Sequence, residues 1–169
     1  EEIRHANGMY ALNIALSDRV ESVQVGPIVI ENPSNEADRE RLIEAISEAD
    51  EIGTAVPSVD FYVSGEAGSL HRVLAEGLRR KATQNRAPAV IYTAENNNHA
   101  AEILEAQVMG QIPDSEQAGV RAKVRFLNTV IAKMGGVVTD PDEIVSEHLM
   151  TVTPTNKRAY LVEAFNRIQ

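Results

Sequence analysis

Three amphipathic stretches separated by two short apolar runs, all between residues 36 and 109, constrain this chain more than any other feature. The first stretch, from about Glu36 to Ala49, sets Leu42, Ile43, Ile46 and Ala49 at helical spacing behind a turn and cap at Asn32-Pro33-Ser34-Asn35. Glu51-Ile52-Gly53-Thr54-Ala55-Val56, halted by Pro57, is short and apolar and predicts a buried parallel strand. A second helix is predicted over about Ser69 to Ala82, with Leu70, Val73, Leu74 and Leu78 inward. Ala89-Val90-Ile91-Tyr92-Thr93-Ala94 predicts a second buried strand, and Asn98 to Met109 a third helix carrying Ile103, Leu104 and Val108. Helix and strand in alternation bury both partners when crossovers lay the helices on a parallel sheet. The expected fold class is therefore α/β with a mostly parallel sheet.

The flanks add to this frame. Residues 1–7 read as the last turns of a helix stopped at Asn7-Gly8. Tyr10 to Leu16 and Val20 to Ile30, joined by Ser17-Asp18-Arg19, predict an added antiparallel β-hairpin, with a bulge or bend at Gly26-Pro27. Downstream, Val124 to Met134 reads as a long strand. Leu149 to Thr153 and Tyr160 to Phe165 read as short ones, after an acidic loop at Asp140, Asp142 and Glu143. The chain opens on Glu1-Glu2-Ile3-Arg4 as if inside a helix and stops after Phe165 without a cap, so truncation at both ends is expected.

Composition excludes several classes of function. A formal net charge of −9 repels nucleic acid and anionic membrane surfaces, neither of which is expected as a partner. The densest basic cluster, Arg79-Arg80-Lys81, falls at a predicted helix end, where it complements the dipole. With no cysteine there is no disulfide framework and no thiol chemistry, and a cytoplasmic setting is expected. His5, His71 and His148 share no metal-ligand spacing with each other or with a carboxylate pair, so no metal site is expected. Neither HExxH, a phosphate-binding GxxxxGK[ST] loop nor a GxSxG elbow is present, and the glycines do not form a GxGxxG turn.

Chemistry on an open parallel sheet gathers at the carboxyl ends of the strands. One such end is Thr54-Ala55-Val56-Pro57-Ser58, whose small residues let a ring or ribose approach the backbone; a plain strand-to-helix connection reads equally well. The other is Thr93-Ala94-Glu95-Asn96-Asn97-Asn98-His99, where consecutive polar side chains precede a helix. Asparagine offers a donor and an acceptor without charge, which suits an oxygen on which negative charge builds. Asn97 or Asn98 could cap the helix while Asn96 faces a ligand, and His99 is expected on the surface.

These motifs, in this order, resemble the mannitol-1-phosphate 5-dehydrogenases and the long-chain mannitol dehydrogenases. The resemblance runs from about Asn7 to Phe165. The family's T-A-V strand end matches Thr54-Ala55-Val56, and its C-E-N strand end matches Ala94-Glu95-Asn96. Its F-x-N/D-S/T-x-V-D-R-I strand matches Phe126 to Met134, and a later short strand matches Leu149 to Thr153. Alanine replaces the motif's cysteine at Ala94, and Ala132-Lys133 replaces its D-R pair, which removes an Asp that helps position the polyol.

The resemblance implies that residues 1–169 are part of a Rossmann-like NAD-binding domain. The glycine-rich first βα unit and a C-terminal helical catalytic domain would lie outside them. It implies hydride transfer between a sugar alcohol, or a sugar-alcohol phosphate, and NAD. Asn96 would be the catalytic hydrogen-bond donor, and Thr54, Ala55, Val56 and Glu95 would contact the cofactor. Asn128 and Lys133 would meet the substrate, and a Lys beyond this chain would act as the base. The piece alone is expected to be inactive, and faces opened by truncation to favour a homo-oligomer. The alternative is a catalytically inactive binding or interaction module derived from the family. An ordinary Rossmann-type nucleotide-sugar or hydroxy-acid dehydrogenase is disfavoured by the hairpin.

Overall fold

The computed structural model describes residues 1–130 and 134–164. They divide into two compact units, Glu31–Val130 and Glu1–Ile30 with residues 134–164.

In the first unit, Asn35 caps α2 (Glu36–Glu48), its side-chain oxygen accepting from the Asp38 N–H at 3.0 Å. The strands β3 (Glu51–Thr54), β4 (Ala89–Thr93) and β5 (Val124–Asn128) form a wholly parallel sheet in that order. Between them run α3 (Leu70–Thr83), α4 (Ala100–Met109) and α5 (Asp114–Arg121). Ile91 on β4 and Val124 on β5 are buried beneath Leu74 and Leu78 of α3, Leu104 and Val108 of α4, and Val120 of α5. The opposite sheet face carries Glu51, Tyr92, Arg125 and Leu127, and Leu127 is exposed. Helices α2 and α3 approach closely because position 77 is glycine: a Cβ there would stand 2.4 Å from Ile46 Cγ2.

The basic cluster at the end of α3 is divided among separate partners. Arg79 pairs with Glu116 at 2.6 Å, and Arg80 pairs with Glu40 at 2.7 Å and Glu44 at 2.9 Å. Lys81 is fully buried, its ammonium donating to the carbonyls of Ala49 and Ala87. Burial holds the Lys81 amine below its usual range. It ties the end of α2 to the approach to β4.

The second unit begins with α1 (Glu2–His5), ended by Asn7 and Gly8 at positive φ, with the Gly8 N–H donating to Ile3 O at 2.8 Å. This is the stop expected of Asn7-Gly8. The hairpin forms as predicted from β1 (Tyr10–Ala15) and β2 (Val20–Val25). Its second strand ends at Val25, before Gly26-Pro27, rather than running to Ile30. With β6 (Gly135–Val138) and β7 (Ala159–Glu163) it builds a sheet of order β2-β1-β7-β6, in which β1 and β7 run parallel. Asn13 is fully buried in the middle of β1. Its amide donates to Met150 O and Tyr160 O and accepts from the Met150 N–H and the Ser22 hydroxyl, all at 2.7–2.9 Å.

Several expectations change. The strands fall into two sheets. β3 is shorter and less buried than expected: among the described residues it pairs only with β4, and Glu51 and Gly53 are exposed. The long strand over Val124–Met134 ends at Asn128, and residues 131–133 lie outside the described residues. The segment Leu149–Thr153 is irregular; it borrows its pairing from the Asn13 side chain and the Ala11 N–H. The acidic loop contains a helix, α6 (Pro141–Ser146), capped by Asp140. Helix α5 and strand β6 were not anticipated. Eight residues of mixed polarity give a weak helical pattern, and Gly135-Gly136 is a poor strand signal.

Candidate functional site

The site lies at the carboxyl rim of the parallel sheet. Thr54 and Thr93 are register partners, and beyond them the Ala94 N–H still donates to Thr54 O at 2.9 Å. The two strand ends singled out in the sequence therefore stop side by side.

What joins them is a buried carboxylate. Glu95 is 5% exposed. Its Oε2 accepts from the Tyr62 hydroxyl at 2.6 Å and from the Thr54 hydroxyl at 2.9 Å, and its Oε1 accepts from the Val56 N–H at 2.9 Å. Burial pushes this carboxyl up, but the three donors outweigh it and hold the group below the usual carboxylate range. Burial, with the neighbouring Glu95 carboxylate, raises the Tyr62 phenol far above its ordinary value, so its proton stays available to donate.

Tyr62 belongs to a 3-10 turn, Val59–Val63, started by Ser58, whose hydroxyl accepts from the Asp60 N–H at 3.1 Å. Its ring is completely buried. Its backbone carbonyl accepts from His71 Nδ1 of α3 at 2.8 Å, which places that ring's proton on Nδ1. The sequence reading missed Tyr62. The available signal was an aromatic pair, Phe61-Tyr62, in a connection where polar residues are the rule.

The predicted residues thus separate into two sets. Thr54 and Glu95 face inward, and the Thr54 hydroxyl donates to the Glu95 carboxylate. Ala55 and Asn96 are exposed at the rim, and Val56 is half-buried with its N–H committed to Glu95. Asn96 makes no side-chain hydrogen bond within the described residues. Asn97 Oδ1 accepts from the His99 N–H, and His99 is on the surface as expected.

Asn128, at the exposed end of β5, is hydrogen-bonded to α4. Its Oδ1 accepts from the Ala101 N–H and its Nδ2 donates to Glu102, both at 2.8 Å. It caps α4 from a neighbouring strand, the role the sequence reading gave to Asn97 or Asn98. Lys133 lies outside the described residues. Among the described residues no group of three or more His, Asp or Glu side chains is placed to hold a metal ion, and no helix is long and apolar enough to cross a membrane.

A parallel sheet with helical crossovers and a polar rim at its strand ends defines a Rossmann-like α/β domain. A solved structure described as D-sorbitol dehydrogenase in substrate-free form shares this fold. It superposes with a TM-score of 0.73 over 99% of this chain and 40% of its own length, at 11% identity. The mannitol dehydrogenase Rossmann domain family matches residues 5–166, and the chain belongs to that family. A mannitol-1-phosphate 5-dehydrogenase from Bacillus licheniformis is 25% identical over 127 residues, which cover 75% of this chain. The match spans 31% of that relative's length.

The rim suits one end of a dinucleotide. Asn96 presents neutral donors and acceptors, Ala55 leaves the backbone accessible, and the Glu95 charge is turned inward onto three donors. That donor set fits a ribose, a carboxamide or a hydroxyl rather than a pyrophosphate, which calls for cations or clustered backbone N–H groups.

Proposed function

We propose that this chain is part of an NAD-dependent polyol or polyol-phosphate dehydrogenase acting in the cytoplasm, and that the rim of β3 and β4 forms the nicotinamide side of its hydride-transfer site. The observation that carries this is the side-by-side ending of the two strands, with Asn96 exposed at the rim and, among the described residues, without a side-chain hydrogen bond. Oxidising a CH–OH to a carbonyl removes a hydride and a proton, and a bound nicotinamide supplies the hydride acceptor. The Asn96 amide donates a hydrogen bond to the substrate oxygen as its charge changes. Ala55 and the backbone of Thr54–Val56 line the nicotinamide ribose. The hydroxyl proton goes to a base outside this chain, as the family resemblance implies, and Lys133 meets a hydroxyl or phosphate of the substrate.

The test is an assay of the complete gene product with mannitol, sorbitol and mannitol 1-phosphate, with NAD or NADP, followed by nucleotide absorbance. Oxidation of one of these is expected. Asn96→Ala is expected to lower kcat by about 10²–10³, the loss typical of one such donor. The 169-residue chain by itself is expected to show no turnover. Failure of the complete product to oxidise any polyol overturns the proposal.

A second reading, a non-catalytic module of the same family, is favoured by Ala94 and Ala132, which stand where the family carries Cys and Asp. A downstream Lys-x-x-x-x-Asn-x-x-His segment in the gene argues against it.

A further inference from the structure

We infer that Tyr62 and Glu95 are positioning residues for the nucleotide: they set the backbone of Thr54–Val56 at the rim without touching the ligand themselves. This rests on the proposal that the rim holds a nicotinamide nucleotide, and it adds a residue that the family's strand-end motifs do not contain.

The geometry is a clamp with two jaws. Glu95, next to Asn96 on the end of β4, reaches back to the end of β3 and takes the Val56 N–H and the Thr54 hydroxyl. The Tyr62 hydroxyl closes on the same carboxylate from the 3-10 turn. Tyr62 is itself fixed at both ends, by Glu95 at its hydroxyl and by His71 at its carbonyl. Between these anchors lie Ala55 and Asn96, both exposed.

A segment between two buried anchors keeps one backbone conformation, so a ligand lying on it loses less ordering entropy on binding. Deleting one donor does not remove any ligand contact. It frees the Thr54–Val56 segment, because the remaining carboxylate oxygen is underpaired and draws in water or rotates. Such a change weakens binding of nucleotide and transition state alike, which raises KM and spares kcat.

The experiment is steady-state kinetics on the polyol-oxidising gene product, with NAD varied at saturating polyol. Tyr62→Phe keeps the buried ring and deletes one O–H. It is expected to raise KM for NAD about tenfold while kcat stays within about a factor of two. Thr54→Val, which removes the second hydroxyl at nearly constant shape, is expected to act in the same direction and decides the matter alone if Tyr62→Phe does not fold. A merely structural role lowers the melting midpoint and leaves KM for NAD unchanged, and that result in both variants overturns the inference. It would leave polyol oxidation by the wild type, and with it the proposed function, intact. Absence of any polyol oxidation in the wild type overturns the functional proposal first, and the positioning role with it.

Discussion

In the unit of residues 31–130, the core cluster is aliphatic apart from Tyr62 and Met109, although the unit also buries polar groups such as Lys81, His71 and Glu95. Leu74, Leu78, Ile91, Leu104, Val108 and Val120 are each at most 1% exposed and belong to one continuous cluster. In the unit formed by residues 1–30 and 134–164, the buried apolar side chains are Ala11, Leu149, Val152 and Ala159, and the centre is an asparagine. Asn13 satisfies both its donors and both its acceptors there. Helices on a parallel sheet bring long branched side chains together from helices and sheet, so packing alone selects the arrangement. A mixed sheet whose buried strand residues are Ala11, Asn13 and Ala159 has little volume to interlock. A one-residue slip of such a strand would cost little in packing, but here it would bury an unsatisfied amide. The polar hub thus supplies the register that the aliphatic core supplies in the other unit.

Substitutions can break this contrast. Asn13→Leu orphans the Met150 N–H and C=O and the Tyr160 C=O, and is expected to cost on the order of 4 kcal/mol, since each buried unpaired group costs about 1–3. Amide exchange is expected to lose protection at Ala11 and Val152 while Ile91 and Leu104 keep theirs; equal loss in both would show that the hub does not act locally. Leu104→Ala is expected to cost about 3 kcal/mol through the cavity it leaves, read as a lower urea midpoint with the mirror-image exchange pattern. Tyr62→Phe is expected to cost about 2 kcal/mol, the worth of a hydrogen bond to a charged group, by the same measurement.

The smallest effect sharpens the contrast through pH. The Glu95 carboxyl lies below its ordinary value of 4.5 in the folded chain. Its stabilisation is therefore complete above that value and is lost as pH falls through the lower folded-state value. Glu95→Gln is expected to flatten the acid limb of stability below about pH 4.5. An unchanged limb would mean that the carboxylate is not held by its three donors.

The elements with strong helical periodicity, α2, α3 and α4, were legible within a few residues of their ends, as were β4 and the hairpin. So was the rim, because two strands in successive crossover units end on the same side of a parallel sheet. The inward turn of Thr54 and Glu95 was not legible, since a motif gives residue types at a strand end and not the face each takes. The hydrogen bonding of Asn128 with α4 was not legible either. It depends on Ala101 and Glu102, 27 and 26 residues away.

The sequence alone determined the alternation of helix and strand, the added hairpin and the family resemblance. All of these follow from local periodicity and from residues counted along the chain. Tertiary structure decided which polar groups are used up in holding the fold and which remain free at the rim. That division depends on hydrogen bonds between residues dozens of positions apart, as between Glu95 and Tyr62 or Asn13 and Met150, and only the folded backbone brings such groups within 3 Å.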